Sequence, residues 1–177
     1  MQYYEVTWRD DGDSHAAVPR GHDRATANRI SKPGLIEPFP ELEWEWNSPD
    51  HPPGDIVMAV DGVRLVSPLV KAIFESHRSS DDVIQWLPAT IVDASNARLP
   101  YWTPHFPVHH DLLDAENSAF APSGRVIRYS FARDKLATHA VTVRPGSFFS
   151  FILAHQVVAA LDEAGATGYM VMRAPVS

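Results

Sequence analysis

The sequence predicts an α+β fold: a single domain with a mixed or antiparallel sheet, two main helices at about 68–77 and 151–164, and a proline-rich acidic N-terminal segment. Three observations predict it. Short β-type runs recur along the chain, many of them limited by one of its fifteen prolines. Two segments carry apolar residues at helical spacing. Strands and helices do not follow the strict β-α-β alternation of a doubly wound sheet. A chain of 177 residues suits one domain of ordinary size. It reads in two parts: 1–51, a strand followed by polar and acidic proline-rich sequence, and 52–177, the α+β body.

In chain order, Tyr3–Trp8 reads as a strand, and Arg9–Arg29 as a polar stretch of loops or a short helix. Residues 32–54 carry six prolines, which should prevent long helices and sheet ladders. Inside that block Leu42, Trp44 and Trp46 alternate with Glu41, Glu43 and Glu45. The period of two predicts a short extended piece, aromatic on one side and acidic on the other. Ile56–Val60 and Val63–Val66 read as strands joined by a tight turn at Asp61-Gly62. Ser67-Pro68 supplies an N-cap and first helical position, and Leu69, Val70, Ile73, Phe74 and His77 then share one helical face. Trp86–Asp93 and Tyr101–Phe106 read as strands. Arg125–Phe131 alternates, with Ile127, Tyr129 and Phe131 on one face, and reads as a half-buried strand. His139–Val143 is a further strand, closed by a turn at Pro145-Gly146. Phe151–Ala164 reads as the second helix, with Leu153, Val157, Val158 and Leu161 inward and Gly165 as its C-terminal stop. Tyr169–Met172 makes a final strand.

The charge is localised. Fifteen Lys+Arg and twenty-two Asp+Glu give a net charge of −7. Seven of the acids (Glu37, Glu41, Glu43, Glu45, Asp50, Asp55 and Asp61) lie between Pro33 and Gly62, where there is no Lys or Arg. The rest of the chain balances to zero. A general nucleic-acid binder needs a cationic surface, and a membrane-surface protein a polybasic face, so neither is expected. No apolar run is long enough to span a membrane. Met1–Glu5 has neither the basic nor the apolar region of a signal peptide, and there are no cysteines. The expectation is a cytoplasmic protein. The acidic-aromatic block admits two readings. It is a docking surface, with Glu37, Glu41, Glu43, Glu45, Asp50 and Asp55 steering a basic partner and Trp44 and Trp46 as anchors, or its tryptophans pack on the domain while its carboxylates face water.

Chemistry-bearing constellations are sparse. His105, His109, His110 and Asp111 are the densest metal-ligand cluster, but Pro104 and Pro107 break the helix that the i,i+4 spacing would need. Adjacent histidines on an extended chain point to opposite faces. Asp111 with Asp114, or Asp114 with Glu116, is a candidate acid/base pair. The chain contains no Gly-x-Ser-x-Gly elbow, no phosphate-binding P-loop and no dinucleotide fingerprint. Neither a cofactor nor a catalytic residue is expected.

Five stretches recur in an order that resembles a known family. They are Pro52-Pro53-Gly54-Asp55-Ile56-Val57 leading into Val60-Asp61-Gly62 and Leu65-Val66-Ser67; Gln85-Trp86-Leu87-Pro88-Ala89-Thr90-Ile91; Tyr101-Trp102; Asp111-Leu112-Leu113-Asp114 with Ser118; and Leu161 through Gly165-Ala166-Thr167-Gly168. From about 52 to 172 this order resembles the bacterial immunity proteins of polymorphic toxin systems, long catalogued as a domain of unknown function. Two positions depart from the family pattern: Thr103-Pro104 follows the aromatic pair where Asn is usual, and Ala154 stands where a Ser often opens the last helix. The resemblance implies a non-enzymatic immunity protein that binds and neutralises a cognate toxin domain, often a nuclease, in the cytoplasm of the producing cell. A carboxylate-rich strip would suit the basic groove of such a toxin. The alternative is a small metal-dependent or acid/base hydrolase built on His105, His109, His110 and Asp111. A third reading is a regulatory interaction protein without a toxin.

Overall fold

The computed structural model describes residues 1–8, 16–144 and 150–177. In chain order its first elements are β1 (Tyr3–Trp8), β2 (Ala17–Pro19), α1 (Arg24–Ile30), β3 (Leu42–Trp46), β4 (Ile56–Met58), β5 (Arg64–Val66), α2 (Pro68–His77), β6 (Gln85–Val92) and β7 (Arg98–His105). There follow β8 (Ala119–Phe120), β9 (Val126–Arg128), α3 (Arg133–Leu136), β10 (Val141–Val143), β11 (Phe151–Ala154), α4 (His155–Glu163) and β12 (Tyr169–Arg173). This is the expected α+β fold.

The strands form a four-stranded sheet in the order β10-β11-β1-β12, a six-stranded sheet in the order β2-β3-β6-β7-β5-β4, and a small β8-β9 ribbon. The four-stranded sheet is antiparallel throughout; in the six-stranded sheet β3 runs parallel to β6. Residues 1–51 supply β1 to the middle of one sheet and β2 and β3 to one end of the other. Two apolar clusters form the core, and the six-stranded sheet contributes to both, entering the first through Ile56 and Val66. Tyr3, Val6, Phe74, Phe131, Phe151 and Leu161 belong to the cluster between the four-stranded sheet and helices α2 and α4. Ile36, Leu42, Trp44, Leu65, Leu87 and Ile91 belong to the cluster on the six-stranded sheet.

Helix α2 forms as its capping chemistry dictates: the Ser67 hydroxyl accepts from the Val70 N–H, and Pro68 opens the first turn. Asp61-Gly62 closes the β4-β5 hairpin with Gly62 at φ 84°, and Gly165 ends α4 at φ 67°. Gly54 and Gly168 pack backbone to backbone, so tightly that a Cβ on Gly54 would sit 2.7 Å from the Gly168 Cα.

Several expectations are corrected. The helix expected over 151–164 begins only at His155, because Phe151–Ala154 is a strand with all four residues buried. A continuous apolar run reads equally as a helix face or a fully buried strand, and here pairing with β1 and β10 decides. The strand expected over 125–131 stops at Arg128; Ile127 is 65% exposed, whereas Phe131 is fully buried. The prolines of residues 32–54 do not exclude a ladder. They flank β3 without entering it, and β3 pairs on both sides. The Pro145-Gly146 turn and residues 9–15 of the polar stretch lie outside the described residues.

Candidate functional site

The alternation in β3 sorts the acidic block. Leu42, Trp44 and Trp46 point into the core, and Glu43 and Glu45 point outward. Trp44 is fully buried, with its ring edge-on to His22 at 4.6 Å. Trp46 is buried too, and its indole N–H donates to the His51 carbonyl at 2.6 Å. Both tryptophans are therefore core residues and not presented anchors.

Of the seven block carboxylates, three are engaged within the fold. Glu43 pairs with Arg20 at 3.4 Å and with Arg98 at 2.5 Å. Asp55 accepts from the Ser67 hydroxyl at 2.6 Å and from the Thr167 N–H and hydroxyl at 2.9 and 3.0 Å. Asp61 faces His22 Nε2 at 2.9 Å. The other four, Glu37, Glu41, Glu45 and Asp50, are exposed and make no ion pair among the described residues. A groove of about 620 Å³ at the start of β3 is lined by Arg20, Glu41, Glu43 and Arg98, so the two signs mix there.

Two of the motifs that carry the family resemblance close on each other in space. Asp55 ties the Gly54-Asp55 corner to the N-cap of α2 and to Thr167, beside the Gly54–Gly168 contact. Asp114 accepts from the Ser177 hydroxyl, from the Asn117 side-chain amide and N–H, and from the Glu116 N–H, which hold its carboxyl at about 2. Ser118 donates to the Ser130 carbonyl. These hydrogen bonds fasten loops.

The histidine cluster does not converge. Both ring nitrogens of buried His105 face carbonyl oxygens, Ile30 at 2.8 Å and Gly34 at 2.6 Å, which leaves neither for an ion. His109 is exposed, His110 lies against His139 with ring centroids 4.3 Å apart, and Asp111 is ion-paired with Lys135 at 2.8 Å. Among the described residues no three His, Asp or Glu side chains are placed to share a metal ion.

Sequence reasoning missed two features. The first is Asp82, whose side chain is wholly buried. It accepts from the N–H groups of Ser79, Ala140 and Val141 at 2.8, 2.9 and 2.9 Å and faces His139 Nδ1 at 2.8 Å. It links the end of α2 to the start of β10. One carboxylate meeting three backbone donors from two distant segments leaves no sequence signal.

The second is a cavity of about 500 Å³ between α1, the β4-β5 hairpin and β7. Helical spacing puts Arg24, Ala27, Asn28 and Ser31 on the cavity side of α1. The opposite wall carries Arg64, from the start of β5, and Thr103, from β7. The Arg64 guanidinium stacks on the Phe151 ring at 4.8 Å and donates to the Ser150 carbonyl at 3.2 Å. Burial lowers its pKa to about 10, so it is still a cation at neutral pH. Thr103 is 1% exposed, and its hydroxyl has no hydrogen-bond partner among the described residues. The helical periodicity of α1 was the available signal, hidden by the polar character of 9–29.

No protein-family model and no curated protein matches the chain.

Proposed function

We propose that this protein is a non-enzymatic immunity protein that holds a cognate toxin domain, possessing a basic groove, through the solvent-facing carboxylates around β3. The single observation that carries the proposal is the set Glu37, Glu41, Glu45 and Asp50: four exposed carboxylates with no ion-pair partner among the described residues, in or flanking one strand. Unpaired surface charge of one sign speeds association with an oppositely charged partner. The motif order over 52–172 supports the same reading. The action assigned is binding and neutralisation in the cytoplasm of the producing cell, with the basic groove of a nuclease as the preferred target.

Glu41 and Glu45 project from the ends of β3 and Asp50 follows it, whereas Glu43 is already neutralised by Arg20 and Arg98. The informative variant therefore reverses Glu41, Glu45 and Asp50 to Lys and leaves Glu43 alone. Titration against the cognate toxin domain, at low and at physiological salt, should show affinity reduced by ~100-fold and a flatter salt dependence. Unchanged affinity and unchanged salt dependence would remove the acidic surface from the interface. Continued killing when the toxin is co-expressed with the unaltered protein would reject immunity for that pair.

A further inference from the structure

We propose that the cavity between α1, the β4-β5 hairpin and β7 is a binding site for a small organic carboxylate with an apolar body. Three features of the site lead there. First, Arg64 is a cation in the wall that no carboxylate among the described residues neutralises; its contacts are two aromatic rings and one carbonyl. A guanidinium has five N–H donors in a planar fork, and a carboxylate accepts from two of them side by side. One backbone carbonyl leaves most of those donors unused. Second, Thr103 lines the same cavity, and its hydroxyl, enclosed in the wall, has no hydrogen-bond partner among the described residues. An orphaned buried hydroxyl is uncommon. Third, Ala27, Ile30, Met58, Ala59, Val63 and Pro104 give the remaining walls an apolar character, which suits a hydrocarbon or aryl body.

The charge balance selects a monoanion. Asp61 also lines the cavity, but its carboxylate faces His22, and its other oxygen accepts from the Val63 N–H at 3.3 Å. Arg24 and Asn28, exposed on α1, stand at the mouth. A dianion such as phosphate would bring a second charge close to Asp61 and would find no use for the apolar walls. A volume of about 500 Å³ accommodates a drug-sized ligand.

The site is independent of the carboxylate surface on β3, and the test needs no toxin. Isothermal titration of the full chain with sodium 3-phenylpropanoate should give one site with a Kd of ~0.1–1 mM, the range expected of a fragment-sized ligand. The neutral isostere 3-phenylpropanamide and inorganic phosphate should each bind at least tenfold more weakly. Arg64→Met should weaken 3-phenylpropanoate at least tenfold. If 3-phenylpropanoate shows no heat or chemical-shift change at about 10 mM, well above that range, or if the amide or phosphate binds equally well, the assignment is overturned. The acid-against-amide comparison uses the unaltered protein, so it decides the matter even if Arg64→Met fails to fold.

Discussion

Burial holds the His110 imidazole below its ordinary pKa; the neighbouring His139 adds to the effect, while Asp82 and Asp81 oppose it. His109 is lowered as well, by burial first and then by His105, Arg64 and His110. A ring whose folded pKa lies below its unfolded value binds the proton more readily in the unfolded chain. Its contribution to stability is therefore complete above the unfolded pKa of about 6.5 and is lost as the pH falls below it. Urea midpoints should fall between about pH 7.5 and pH 5.5, and His110→Gln should flatten that dependence. A midpoint that rises on acidification would contradict the burial argument. Asp114, held at about 2, stays ionised across this range and does not contribute. At this scale the sequence was partly legible. The period of two in Leu42–Trp46 correctly separated tryptophans from glutamates, but whether the aromatic side met core or solvent depended on β6, whose Ala89 pairs with Leu42 from far along the chain. Asp55 and Asp114 stood out as motif residues, yet nothing local distinguished a carboxylate that fastens a loop from one that meets a partner.

The end of β11 and the start of α4 share one residue, Ala154, which is the N-cap of α4 and offers no side-chain oxygen to its first-turn N–H groups. That missing cap has a clear energetic meaning. A Ser at an N-cap accepts from the N2 or N3 N–H and is worth ~1 kcal/mol over Ala. Ala154→Ser should raise the stability of the protein by about that amount in urea denaturation, because Ser differs from Ala by one small atom that the cap bond satisfies. No gain, or a loss, would mean that the wholly buried site at Ala154 has no room for the hydroxyl. The elements best read from sequence had explicit start and stop chemistry, as in α2 with Ser67-Pro68. Those read less well were set by partners distant in sequence. Phe151–Ala154 became a strand because β1 and β10 were there to pair with it, and β3 entered the sheet because β2 and β6 flanked it.

At the level of the whole molecule, the fold class was legible because it depends on the number and order of short strands and helices. The cavity was not, because it is assembled from α1, the β4-β5 hairpin and β7, which are far apart in sequence. The Gly54–Gly168 contact is the same kind of feature and can be tested directly. Gly168 combines φ 83° with a Cβ position only 2.4 Å from the Ile56 carbonyl, whereas Gly62 has φ 84° and open space around it. Gly62→Ala should cost ~1 kcal/mol, the backbone strain alone, and Gly168→Ala ~3 kcal/mol or more, strain plus overpacking. Equal losses in urea denaturation would show that the close approach contributes nothing.

The position of β1 between β11 and β12 also sets an order of events during synthesis. Its partners are encoded some 150 residues later, as the Tyr3–Ala154 register shows. At typical translation rates of about 5–20 residues per second, the nascent strand waits roughly ten seconds or more for them. Meanwhile every strand of the six-stranded sheet, residues 17–105, has already emerged together with its own apolar cluster. The ribosome therefore releases the sheet that carries the exposed carboxylates before the other sheet is complete, with β1 already out, still unpaired, and its Tyr3 and Val6 open to chaperones until the last strands arrive.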